Sequence, residues 1–138
     1  MTGLPWRATF APDPSSVGRA RVGLTDALNG SGVAGAVAAD AMLLLGELAG
    51  NAVRHARTEF TVTATLADNT IRLEVMDLDT RPPSLVGVDV GSTSGRGLHL
   101  VSAVALDWGW HSTEDDAGVS GKVVWAELRS GQPGRSPT

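Results

Sequence analysis

The stretch GELAGNAVRHA, residues 46–56, places Glu47, Asn51 and His55 four positions apart on what reads as a long helix. Four-residue spacing stacks side chains on one helix face. Ala41, Leu44, Leu45, Leu48 and Ala52 define an apolar arc there, with Glu47 and Asn51 on its edge and His55 inside it. A carboxylate and an amide oxygen one turn apart are hard donors of the kind magnesium takes, with water and phosphate completing the shell. A rim carboxylate also suits a general base. The bland alternative stays open: a solvated helix flank, with His55 a half-buried, hydrogen-bonded residue. Gly46 and Gly50 lie beside Glu47. Each costs a helix about 1 kcal/mol against alanine, so the pair predicts a cleared surface that another object approaches closely.

Two further stretches carry candidate chemistry. In VMDLDTRPP (75–83) an aspartate, Asp77, ends a strand and a proline-rich loop follows. In SGRGLHLV (94–101) a Gly-x-Gly, Gly95 and Gly97, opens a helix, where backbone N–H groups attract phosphate.

These residues need elements to hold them. WRATFAP (6–12) alternates and reads as a first strand, placed at a sheet edge by its flanking prolines. Asp13 suits an N-cap and Pro14 a first turn, so a helix runs from there to about Leu28 and breaks at NGSG. A second helix is expected from about Val33 to Ala56. FTVTATL (60–66) and IRLEVMD (71–77) form a hairpin through the turn residues Asp68 and Asn69. From Leu78 to Arg96 no period is visible, and a loop of that length is usually functional. A short helix (97–107) and two strands, 108–112 and 122–128, close the pattern, and residues 130–138 read as a disordered tail. The order β-α-α-β-β-loop-α-β-β predicts a two-layer α+β sandwich: a mixed, mostly antiparallel sheet with helices on one face.

The chain has 138 residues, enough for one domain with a real core. Its net charge of −4, with no basic tract, argues against nucleic acid as a partner. Without cysteine there are no disulfides or thiolate zinc sites, and a reducing compartment is permitted. The N-terminus lacks the pattern of a signal peptide, and the apolar stretches read as too short to span a membrane, so a cytoplasmic location is expected. GVSGKV (118–123) is not a P-loop, because its spacing is wrong and no Ser or Thr follows Lys122.

Taken together and in order, ELAGNAVRHA, Asp77 and GRGL resemble the N box and the first and second glycine boxes of the GHKL (histidine-kinase-like) ATPase superfamily. PSSVGRAR, GRGLHLV, WGW and GKVVWAEL narrow the likeness to the bacterial anti-sigma-factor serine/threonine kinases of the RsbW and SpoIIAB type. It covers residues 5–129. The resemblance implies a Bergerat ATP-binding fold with ATP and Mg²⁺ as cofactors. Asn51 would ligate Mg²⁺ between the phosphates. Glu47 would be the general base toward a serine hydroxyl. Asp77 would accept a hydrogen bond from the adenine amino group. Gly95, Arg96, Gly97 and Leu98 would meet the phosphates, and residues 79–94 would form a lid. Arg54 and His55 would lie near the phosphates or orient the helix, the second being favoured for His55. Lys122 reads as solvated rather than catalytic. Implied partners are a sigma factor, a STAS-domain anti-anti-sigma protein, or both, with a homodimer also admitted. One departure stands out: the family's Asp-x-Gly-x-Gly is here Asp77-Leu78-Asp79-Thr80-Arg81, without either glycine.

Overall fold

The computed structural model describes residues 3–83 and 101–131. β1 (Trp6–Phe10) leads into α1 (Pro14–Gly30). Asp13 caps α1 by accepting from the Ser15 N–H at 3.1 Å, and Pro14 occupies the first turn. α2 (Gly35–Asn51) continues into a π-helical turn, Ala52–Ala56. β2 (Phe60–Ala67) and β3 (Thr70–Asp77) form the expected hairpin, with Asp68 and Asn69 both at positive φ in the two-residue turn. Residues 101–104 are helical, so the third helix ends earlier than the expected Asp107, where β4 (Asp107–Glu114) already begins. β5 (Ser120–Arg129) returns beside it.

The five strands lie in the order β1-β2-β3-β5-β4, and every described pairing is antiparallel. β1 is an edge strand, as its prolines require. β3 sits at the centre, between β2 and β5. Strand alternation sends Ile71, Leu73 and Val75 of β3, Val62 and Ala64 of β2, and Val124, Ala126 and Leu128 of β5 to one face. That face is buried against Ala20, Leu24 and Leu28 of α1 and Leu44, Leu45 and Leu48 of α2 in a single cluster. Phe10 and Phe60 stack at its β1 side with ring centroids 5.5 Å apart. The result is the two-layer α+β sandwich, with its helices on one face of the sheet.

Three local expectations change. Gly35–Ala56 is 22 residues long with mean hydropathy 1.4, long and apolar enough to cross a membrane by length and composition, which the sequence reading had denied. Its leucines at 44, 45 and 48 are spent on the sheet instead, at 0–1% exposure. Gly46 does not leave open space for a visitor: a Cβ there would meet the guanidinium of Arg21 from α1, and one at Gly50 would meet Arg54. Ser130, assigned to the tail, is buried; its N–H donates to the Asn69 carbonyl at 2.9 Å, and its hydroxyl bonds the Asn69 side chain.

Candidate functional site

The last turn of the long helix is π rather than α. The Arg57 N–H donates to the Ala52 carbonyl five residues back, at 2.9 Å, and Arg57 terminates the helix at φ 58°. Widening one turn lowers the rotation per residue, so everything after Asn51 lags its α-helical phase. His55 therefore leaves the apolar arc where α-helical spacing had put it. It is exposed and lines a cavity. Asn51, at 8% exposure, holds the inner end of the same cavity wall. Glu47, one turn earlier, is half-buried and is not among the lining residues.

The opposite wall comes from the end of β3 and the start of β5. Asp77 and Lys122 are direct cross-strand partners, 2% and 3% exposed. The Lys122 Nζ lies 3.0 Å from Asp77 Oδ1 and also donates to the Asp79 carbonyl at 3.2 Å. Lys122 is thus neither solvated nor idle, contrary to the sequence reading. Parity was the available signal. Lys122 is in phase with Val124, Ala126 and Leu128, as Asp77 is with Val75, Leu73 and Ile71, so both must point inward. Gly121 makes the approach feasible, because a Cβ there would collide with the Asp77 carbonyl. Lys122 lines the cavity, whereas Asp77 lies behind it.

The loop after Asp77 turns without the two glycines of the family pattern. Asp77 Oδ1 accepts from the Asp79 N–H at 2.9 Å, and Asp79 Oδ1 accepts from the Arg81 N–H at 2.9 Å. Two successive Asx turns therefore do the work that glycine conformations do elsewhere. The Arg81 guanidinium grips Asp79 through two nitrogens, the shorter contact being 2.6 Å, and donates to the His55 carbonyl at 3.2 Å. Hydrogen bonding to Arg81 holds the Asp79 carboxyl at about 2. Asp79, Arg81, Pro82 and Pro83 complete the cavity, about 200 Å³ in volume. That is room for a base or a phosphate group rather than a whole nucleotide.

The electrostatics run against the acidic whole. His55 is pushed below its ordinary pKa, first by desolvation and then by Arg54, Lys122, Arg57 and Arg81. Of these four cations Arg81 and Lys122 are paired with Asp79 and Asp77, which leaves Arg54 and Arg57 to make the corner anion-attracting on a protein of net charge −4. Among the described residues no cluster of three or more His, Asp or Glu offers a self-sufficient metal cage. Asn51 alone fits a divalent cation that draws its other ligands from phosphate and water. The donor set therefore fits a metal–polyphosphate better than a free metal. Gly95, Arg96, Gly97 and Leu98 lie outside the described residues, as does residues 84–94 of the expected lid.

Comparison with curated protein sequences returns no match. Among solved structures, the chain is similar to one from the SiaB–SiaC complex of Pseudomonas aeruginosa. The TM-score is 0.63 at 12% identity, over 89% of this chain and 89% of that one. At that identity the likeness is one of fold. Residues 10–127 match the histidine kinase-like ATPase domain family, which takes in α1, α2, β2, β3, β4, most of β5 and the whole cavity wall, but only Phe10 of β1. The chain belongs to the histidine kinase-like ATPase domain family.

Proposed function

We propose that this protein binds Mg-ATP with one part of the nucleotide in the cavity between Asn51 and Lys122, and acts as an anti-sigma-factor-like serine/threonine kinase in a partner-switching circuit. The observation that carries the reading is the cationic corner around His55, in the same cavity as Asn51, in a chain of the histidine kinase-like ATPase family. Polyphosphate is the anion such a family member handles, and a corner of arginines and a lysine at a helix end suits it. Magnesium, when bound, would neutralise phosphate charge in phosphoryl transfer. Asn51 would hold it through the amide oxygen. Glu47, on the same face one turn away, would take the proton from an attacking serine hydroxyl. Asp77 would accept from the adenine amino group, and the backbone of Gly95, Arg96, Gly97 and Leu98 would meet the phosphates.

The partner class follows from the same reading: a sigma factor, a STAS-domain antagonist carrying the target serine, or both, with homodimerisation as a further option. That a similar fold occurs in a SiaB–SiaC complex supports a protein-binding role. The circuit would operate in the cytoplasm, which the absence of cysteine permits. A second reading is favoured by one observation: the first glycine box is replaced by an Asp79–Arg81 clasp bonded to the helix end. Under it, ATP shapes a partner surface and no phosphate is transferred.

Incubation with labelled ATP, Mg²⁺ and an antagonist protein separates the two. The kinase reading expects label on the antagonist with wild type and none with Glu47→Ala. Partner binding that needs ATP but leaves the antagonist unlabelled selects the gated module. No ATP binding by titration ends both.

A further inference from the structure

The sheet face turned away from the helices carries a second cavity. Alternation turns Met76 away from Val75 and the core. Met76, Leu78 just beyond β3 and Val119 just before β5 line a groove of about 210 Å³, with Glu114 and Asp115 also in its wall. Leu78 and Val119 are 39% and 46% exposed, two of the four large apolar side chains left exposed among the described residues. Apolar residues exposed singly are ordinary, but two that converge on one groove mark a contact surface. Their backbone is pinned. The Leu78 N–H donates to Thr58 Oγ1 at 2.9 Å. The Val119 N–H donates to Asp115 Oδ1 at 2.8 Å, and the Val119 carbonyl accepts from the Asp115 N–H at 3.0 Å. The two side chains are thus held in place before anything docks, which lowers the ordering cost of a contact.

We infer that this groove docks a segment of a partner protein in which a lysine or arginine stands among aliphatic residues. Charge decides the occupant. Glu114 and Asp115 stand in the wall, and no Lys or Arg lines the groove. Among the described residues no Lys or Arg lies within ion-pair distance of either carboxylate, and Arg72 on the same sheet face is spent on Glu74 and Glu127. Phosphate, whether of nucleic acid or of an anionic lipid, is repelled there. Size points the same way. The groove is smaller than the roughly 300 Å³ at which small-molecule sites begin, so it suits a side chain. A basic side chain matches both parts of the wall. Its aliphatic stem lies along Met76, Leu78 and Val119, and its charged head reaches the carboxylates. The groove opens on the opposite face of the sheet from Lys122 and the nucleotide cavity, so it stands or falls apart from the ATP reading.

The test titrates the full chain, without nucleotide, with two blocked tripeptides, acetyl-Leu-Arg-Leu-amide and acetyl-Leu-Glu-Leu-amide, followed by amide and methyl NMR. The arginine peptide is expected to give saturable shifts at Leu78, Glu114 and Val119, and the glutamate peptide none. Glu114→Lys, on the surface, is expected to weaken the arginine peptide at least about fivefold by turning attraction into repulsion. Val22→Ser, which removes an exposed valine on α1, is expected to leave its affinity unchanged. Equal binding of both peptides overturns the proposal, as do shifts centred away from the groove or no shift up to about 10 mM peptide. A Glu114→Lys protein that binds as wild type does the same. Methyl contacts from Leu78 and Val119 to residues 84–100, or to a second copy of the chain, in the peptide-free protein also overturn it, because the groove is then already filled. The peptide comparison uses unaltered protein, so it decides the matter whatever the variants do to the fold.

Discussion

A carboxylate at the end of a strand becomes useful through what holds it. Asp77 is held by Lys122 and by the Asp79 amide, and Asp79 in turn by Arg81. The types and spacing of Glu47, Asn51 and Asp77 were legible in the sequence, because helix and strand periods place them without reference to distant residues. The partnership of Asp77 with Lys122 was not, because it joins residues 45 apart across a sheet whose strand order is a tertiary fact. Two predictions belong to this scale. Asn51→Ala should abolish Mg-dependent ATP binding while costing the fold no more than about 1 kcal/mol, since it opens a cavity edge rather than the core. Titration calorimetry beside a denaturant melt checks both halves, and unchanged affinity would remove Asn51 from the metal. The second concerns Asp79, whose folded pKa of about 2 lies below its ordinary 3.8. A depressed carboxylate stabilises the fold above its unfolded pKa and loses that contribution as pH falls through the folded one. Stability should therefore decline between about pH 4 and pH 2, and Arg81→Leu should move the Asp79 titration upward toward 3.8, as read by carboxyl NMR.

Among elements, the local signals were strong where chemistry punctuates the chain. Asp13 and Pro14 start α1, Asp68 and Asn69 turn the hairpin, and alternation marks β2 and β3. The π turn after Asn51 left no such mark, since nothing in AVRHA distinguishes it from α-helix by propensity, and it relocated His55 from core to cavity. Glycines show the same divide. Gly46 had suggested room for a ligand, yet Arg21 fills it; Gly121 had suggested nothing, yet it lets β5 lie against the end of β3. Gly121→Ala should accordingly lower stability by about 1–3 kcal/mol, because backbone of the central strand must move aside. Gly18→Ala, in α1 with open space around it, should raise stability by about 0.5–1 kcal/mol. Urea unfolding of the two variants decides. A Gly121→Ala protein as stable as wild type would mean that the strand ends are slack and that Lys122 is not clamped.

At the scale of the whole molecule, charge is distributed unevenly. The sum is −4, yet Arg54, Arg57, Arg81 and Lys122 converge on His55 at one end of the helix layer. The far face of the sheet instead neutralises itself: Arg72 pairs with Glu74 and Glu127, at 2.8 and 2.9 Å, and stacks on Trp125 at 4.2 Å. Asp79 and Asp77 balance Arg81 and Lys122 in that corner, so Arg54 and Arg57 supply the charge an anion would gain there. His55 reports on it. Its folded pKa lies below the ordinary 6.5, so the unfolded chain takes the proton first, and the fold loses stability as pH falls from about 6.5 through the lower folded value. A bound polyphosphate reverses the local field and raises the His55 pKa. Binding must then take up protons below neutrality, and affinity for Mg-ATP should rise as pH drops from 7 toward 6. Titrations belong at about pH 6.5, the middle of that window and close to the ordinary histidine pKa. Run in two buffers of different ionisation heat, they measure the uptake directly. His55→Gln should remove the protein's share while keeping ATP binding. Equal proton uptake by wild type and His55→Gln would mean that the phosphates lie away from His55, and the cationic corner would need a different anion.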